Sequence, residues 1–310
     1  MLDQKVRGLK AVFAVIVIGG FVACGEGRRA SGFMLSPEEM RRAHIDLVDS
    51  LTLHPDSIDG IEELASITAD AWMLIDDSTG LVFSSKNANK LVCMASITKM
   101  MTCLLALENG NLDDSVYIDE DSYIAKDSRV KLGDGFLLSS LIDEMMLISD
   151  NDAAYAIAKH VGGDTLSFCE MMNEKAAYLG MENTHFANPN GVPNIDNYST
   201  ANDLIKLCRY AMRDRAFASI VGTAEKDIPL LDGRHMPCHN TNVLLNSYEG
   251  CIGIKTGYTR QAGYCLASAA TRRGRTLYLV LLGSRSLSTR FTESALLLDY
   301  GFNMLNQINH

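Results

Sequence analysis

Residues 251–283 read CIGIKTGYTRQAGYCLASAATRRGRTLYLVLLG. Cys251–Tyr258, Gly263–Ala270 and Thr276–Gly283 are strand-length apolar runs, and the residues between them, Arg272-Arg273-Gly274 included, have turn composition. Upstream, Ala71–Asp76 and Leu81–Ser84 flank Asp77-Ser78-Thr79-Gly80, which reads as a β-hairpin. Between hairpin and strands lie helical stretches: Ala95–Leu107, Leu137–Ile148, Asp152–His160, Thr165–Leu179 (closed by Gly180) and Thr200–Met212. Ser288–Leu305 reads as a closing helix. The order hairpin, helices, three strands, helix predicts a mixed α/β chain of the α+β kind: an antiparallel five-stranded sheet flanked by helices, with an all-helical insertion.

The 310 residues are 47% hydrophobic and 21% charged, enough for a substantial core. With 28 basic against 38 acidic residues the net charge is −10, which argues against a nucleic-acid partner. Eleven Tyr and ten Phe exclude general disorder. No apolar stretch reaches the roughly 18–20 residues of a bilayer-spanning helix, so a multi-pass membrane protein is excluded.

The N-terminus has the composition of an export signal, residues 1–24. Lys5, Arg7 and Lys10 precede the apolar run Ala11–Ala23. Val22-Ala23-Cys24-Gly25 resembles a lipobox, in which Cys24 is acylated, although Phe21 departs from the usual Leu. The competing reading is simple cleavage after Gly25. Either places the protein in the cell envelope, or periplasmic or secreted, touching a membrane only through its N-terminus. Residues 25–69 read as a spacer with a short helix opened by Ser36-Pro37-Glu38-Glu39. The main domain spans 70–306, with no β-rich domain after it. The eight Cys are scattered, mostly in apolar runs, and read as core residues. His235-Met236-Pro237-Cys238-His239 lacks a paired ligand set at zinc spacing, so no metal and no cofactor is expected.

Three short motifs carry chemistry. Ser96-Ile97-Thr98-Lys99 puts a hydroxyl and an amine three residues apart, which on a helix share a face. Serine needs a base to become a nucleophile, and a desolvated, uncharged lysine can serve. Taken alone, the motif reads first as a helix cap at Ser96 with Lys99 in solvent. A second match, Ser128-Arg129-Val130-Lys131, precedes a Gly-containing turn and reads as surface. Ser149-Asp150-Asn151 lies between two helices, where a cap is the plain alternative to proton relay by Ser149 and amide binding by Asn151. Ser85-Lys86-Asn87 has the same form and reads as a loop. Lys255-Thr256-Gly257 puts a cation and a hydroxyl on a strand beside a residue that lets substrate backbone approach; an edge Lys with a bulge Gly is the alternative. On a strand, Lys255 and Gly257 face one way and Thr256 the other, unless twist or a bulge turns them.

The motifs appear in order, 53 and then 106 residues apart, and that set is shared by class A β-lactamases and penicillin-binding proteins. With Ile75–Gly80, Ser149–Ala154, Leu179–Gly191, Tyr198–Ala201, Gly253–Thr259 and Ala262–Leu266, the chain resembles the serine-type D-alanyl-D-alanine carboxypeptidases, the low-molecular-mass penicillin-binding proteins. Cys93-Met94 stand where that family usually has a Pro before Ala-Ser. The resemblance implies a β-lactamase/transpeptidase-like fold. It implies that a peptidoglycan stem peptide ending in D-Ala-D-Ala binds through its carboxylate to Lys255 and Thr256, beside Gly257, and is steadied by Asn151. Neutral Lys99 would activate Ser96, Ser149 would pass a proton to the departing D-Ala, and the backbone N–H groups of Ser96 and Tyr258 would form the oxyanion hole. β-Lactams would acylate Ser96. A class A β-lactamase needs a Glu in the intervening loop, and residues 182–200 hold only Glu182. A DD-endopeptidase uses the same residues, and a non-catalytic penicillin-binding sensor is the rival of another class.

Overall fold

The computed structural model describes residues 42, 62–124 and 128–308. The chain divides into two units, Met1–Ser50 and Leu51–His310. Within the first, Arg42 alone is described, helical and exposed. The signal segment, Cys24 and most of the 25–69 spacer lie outside the described residues.

In the second unit, β1 (Ala71–Asp76) and β2 (Val82–Lys86) form the expected hairpin, with Trp72 opposite Lys86. A 3-10 turn, Ala95–Thr98, runs into α1 (Lys99–Asn109). The short strands β3 (Ser115–Tyr117) and β4 (Gly135–Leu137) precede α2 (Leu138–Ile148), α3 (Asn151–Gly162) and α4 (Thr165–Tyr178). Next come α5 (Ala201–Ala211), α6 (Arg215–Val221), a second small hairpin of β5 (Glu225–Pro229) and β6 (His235–His239), and the single turn α7 (Leu244–Ser247). The chain closes with β7 (Cys251–Thr259), β8 (Gly263–Arg272), β9 (Arg275–Ser284) and α8 (Leu287–Ile308). The main sheet has five antiparallel strands in the order β2-β1-β9-β8-β7.

β1 is buried at all six positions, as expected of a strand covered on both faces. Trp72 and Leu74 join Leu277, Leu279 and Leu281 of β9 and Leu297, Leu298 and Phe302 of α8 in one apolar cluster. Met73, Ile75, Tyr278 and Val280 alternate to the other face, where α5 packs on β1 and β9.

The insertion is mainly helical but also carries the β3–β4 and β5–β6 sheets. Neither shows an apolar alternation. β5–β6 is exposed except at Ile228, Cys238 and the half-buried Met236, so its strands have no hydrophobic signature. The Ser96 segment also differs from a uniform helix over Ala95–Leu107. Ala95 takes φ 49, a left-handed bend that forces a tight turn before α1 begins. The seven described cysteines are all free thiols, five of them buried. Among the described residues no cluster of His, Cys, Asp or Glu is placed to hold a metal, and no helix is long and apolar enough to cross a membrane.

Candidate active site

The Ser96 turn is fixed from three sides. Val92 pairs with Ser199 through both backbone hydrogen bonds, at 2.9 and 3.0 Å, which sets the chain entering it. Cys93-Met94 does not disturb this entry: Met94 is buried, and its carbonyl accepts from the Ile97 N–H at 3.2 Å. Gly257 of β7 closes the second side. A Cβ there would lie 3.1 Å from both Ser96 N and Met94 O. The absent side chain thus admits the protein's own nucleophile turn, and not only the substrate backbone expected from sequence.

The third side is Asn188-Pro189-Asn190-Gly191. Asn188 closes this loop, accepting from the Gly191 N–H at 2.7 Å and donating to Val192 O at 3.1 Å. Pro189 O accepts from the Thr102 hydroxyl at 2.6 Å. Gly191, at φ 85, lies so close that a Cβ would come within 2.0 Å of Ala95 O. The loop therefore wraps the start of α1 and aims its Asn190 carbonyl into the site.

Lys99 is fully buried, not solvated. Its Nζ lies 3.1 Å from Ser96 Oγ, 2.8 Å from Asn151 Oδ1 and 2.7 Å from Asn190 O. Two sequence motifs thus meet on one amine, together with a backbone carbonyl. A carbonyl carries no side-chain signature, so only its loop motif could have pointed to it.

Ser149 caps α2 in the left-handed conformation, φ 70, and is half-exposed beside Asn151. Asp150 makes that turn rigid. Its Oδ1 accepts from the Ser128 hydroxyl (2.8 Å), the Asp152 N–H (3.0 Å) and the Ala153 N–H (3.2 Å), capping α3. Its Oδ2 accepts from the N–H groups of Arg129 (2.7 Å) and Val130 (3.4 Å). Ser128 is consequently buried, which corrects its reading as a surface residue. The second S-x-x-K match braces the Ser149 turn, and its Lys131 donates to Ser128 O at 2.9 Å.

Lys255 is 1% exposed, and its ammonium has no hydrogen-bond partner among the described residues. Burial above all pulls its pKa well below the usual lysine range. Arg290 of α8, which sequence reading missed, donates to Gly257 O at 3.1 Å and Cys265 O at 3.3 Å and so ties β7 to β8 beside the site. The Thr256 hydroxyl lies 2.6 Å from that of Thr241. Tyr258 stays 54% exposed at the rim, its ring stacked on Tyr264 with centroids 4.3 Å apart. A half-buried serine beside a buried lysine, an amide and an unpaired cation on a strand can bind a carboxylate and attack a carbonyl near it.

The chain is similar to known proteins. A family model described as D-alanyl-D-alanine carboxypeptidase matches residues 59–286. A D-alanyl-D-alanine carboxypeptidase of Streptomyces sp. strain K15 is 37% identical, over 76% of this chain and 88% of its own. The carboxypeptidase DacF of Bacillus subtilis is 31% identical, and this chain spans 62% of its length. A D-alanyl-D-alanine endopeptidase of Pseudomonas aeruginosa is 32% identical over 75% of this chain and 76% of its own. The crystal structure of the Streptomyces K15 DD-transpeptidase superposes with a TM-score of 0.73 at 35% identity, over 77% of this chain and 98% of that one.

Proposed function

The chain belongs to the D-alanyl-D-alanine carboxypeptidase family of serine hydrolases, and on that premise we propose that it removes the terminal D-Ala of peptidoglycan stem peptides through an acyl-enzyme on Ser96. The convergence of Ser96, Asn151 and Asn190 on the buried Lys99 amine carries this reading. An uncharged amine has two N–H donors and one lone pair. In that state Asn151 Oδ1 and Asn190 O, which can only accept, receive N–H groups, and the lone pair can take the proton of the Ser96 hydroxyl at 3.1 Å. A charged Lys99 would instead donate to Ser96 and could not take its proton.

The peptide carboxylate is received by Lys255, whose buried, unpaired ammonium gains a counter-ion, and by the Thr256 hydroxyl. Asn151 steadies the peptide amide. Ser96 Oγ bonds to the penultimate carbonyl carbon as its proton passes to Lys99. The oxyanion faces the N–H groups of Ser96 and Tyr258; one such donor is worth roughly 10²–10³ in rate. Ser149 delivers the proton to the departing D-Ala nitrogen, the C–N bond breaks, and water hydrolyses the ester to restore Ser96. β-Lactams mimic the substrate and acylate the same hydroxyl.

Labelling with a fluorescent penicillin, followed by peptide mapping, tests the assignment. The label is expected on Ser96, with multiple-turnover release of D-Ala from a pentapeptide. A Ser96→Ala variant that released D-Ala at the normal rate would refute it, and a label without turnover would favour a penicillin-binding sensor. The Pseudomonas relative motivates a second reading, cleavage of D-Ala cross-links, which a cross-linked dimer as substrate distinguishes. A class A β-lactamase is disfavoured because Glu182, the one Glu of residues 182–200, is an exposed side chain. The protein acts in the cell envelope, and mass spectrometry of the mature N-terminus decides between acylated Cys24 and simple secretion.

A further inference from the structure

Thr241 lies in the loop between β6 and α7, and the mechanism above gives it no work. The structure ties it to two elements that carry site residues. Its backbone N–H donates to Leu147 O at 2.9 Å, in the last turn of α2 and two residues before Ser149. Its half-buried hydroxyl lies 2.6 Å from that of the buried Thr256 on β7. The residues on either side hold the loop in place. The Asn240 N–H donates to Ala224 O at 2.7 Å, and Asn240 Oδ1 accepts from the Asn242 N–H at 2.9 Å. Among the described residues neither threonine hydroxyl makes a second hydrogen bond. A hydroxyl has one proton to give. In a pair at this distance one hydroxyl donates, and the other keeps its proton for a further partner. If Thr256 gave its proton to Thr241, it would have none for a carboxylate, which only accepts. With a carboxylate bound, the arrangement that leaves no donor idle is Thr241 to Thr256, and Thr256 to the carboxylate.

We propose that Thr241 is a positioning residue for the carboxylate end of the substrate: its hydroxyl donates to Thr256 Oγ and so turns the Thr256 proton toward the carboxylate. A hydroxyl left to itself rotates to whatever acceptor is near. The Thr241 proton occupies one side of Thr256 Oγ and leaves the Thr256 O–H the other. Each bond in such a chain polarises the next, so the outer donor is also strengthened. The Leu147 contact gives Thr241 a second effect. It sets the receiving hydroxyl of β7 against the end of α2, from which Ser149 and Asn151 follow. This inference rests on the proposed binding of a peptide carboxylate by Lys255 and Thr256.

Calorimetric binding to the Ser96→Ala protein, which binds without acylation, tests it. The probes are a stem pentapeptide ending in D-Ala-D-Ala and the same peptide closed as its C-terminal amide. The carboxylate form should bind more tightly. Adding Thr241→Val should cut that preference about tenfold, on the scale of one hydrogen bond, and leave affinity for the amide within about twofold. Thr241→Ser keeps the hydroxyl and should restore the preference to within about twofold. Thr256→Val should cut it too, and Thr241→Val added to Thr256→Val should change nothing more, because the hydroxyl it acts through is already gone. A loop residue with a merely structural role would weaken both peptides alike. That result, an unchanged preference in Thr241→Val, or losses from the two valines that add, overturns the proposal. Thr241→Ala replaces Thr241→Val in every comparison if the valine variant does not fold. Equal binding of both peptides to Ser96→Ala overturns this inference together with the carboxylate site. Wild type that releases no D-Ala sinks the carboxypeptidase reading alone, and the binding comparison still decides the role of Thr241.

Discussion

Gly191 occupies a position that no side chain can share. Its φ of 85 already disfavours an L residue, and a Cβ would sit 2.0 Å from Ala95 O, a backbone atom that cannot rotate away. Gly191→Ala must displace either the loop or the Ser96 turn. Because the same loop presents Asn190 O to Lys99, the damage should reach chemistry as well as stability. Penicillin acylation should fall by at least about 10²-fold, with a lower melting temperature; a variant that acylates normally would show that the loop is not what positions Lys99. The meeting of Ser96, Lys99 and Asn151 was legible because motif order is a property of side chains. The Asn190 contact was not, since it is made through a carbonyl. Ser128 was misread because its partner, the Asp150 carboxylate, is 22 residues away.

Between α2 and α3, Asp150 acts on two elements with its two oxygens. Oδ1 caps α3 and takes the Ser128 hydroxyl, while Oδ2 takes the Arg129 and Val130 N–H groups. Asp150→Asn separates these roles. An amide oxygen still caps the helix, but the NH₂ replacing Oδ2 faces two N–H donors. The cost should be about 1–3 kcal/mol for the stranded donors. Hydrogen exchange should speed up at residues 128–130 while α3 stays protected. Equal loss of protection in both would mean the strap and the cap are one unit. At this scale the main sheet and its helices were readable because burial imprints period and length on β1, β7, β8, β9 and the helices. The β5–β6 hairpin was not. Its strands face solvent, and His235 pairs with Asp227 and His239 with Glu225, so no apolar pattern marks it.

Across the whole molecule, three buried ionisable groups give stability opposite slopes with pH. Burial would raise the Asp76 carboxyl, but hydrogen bonds from Arg275, Ser78 and Thr79 outweigh it and hold its pKa below 3.8. Its contribution is therefore full above 3.8 and lost as pH falls through the folded value. Glu144 runs the other way. Between 4.5 and its raised folded value the native state holds the extra proton, so stability falls as pH rises. Lys255 is a depressed base: between its folded value and 10.5 the unfolded chain holds the extra proton, so stability rises with pH, and below the folded value the whole penalty stands. On the proposed function, that penalty leaves an unpaired cation for a substrate carboxylate to complete. Lys255→Met should thus be more stable than wild type at neutral pH, by about 1–4 kcal/mol. For a domain of this size that is a rise of several degrees in melting temperature, at about 2–4 °C per kcal/mol. The gain should shrink as pH approaches 10.5. In calorimetry, a carboxylate-bearing substrate analogue should raise the melting temperature of wild type and leave that of Lys255→Met unchanged. A less stable Lys255→Met would mean the ammonium is satisfied inside the fold. The carboxylate would then have to be bound elsewhere on the sheet.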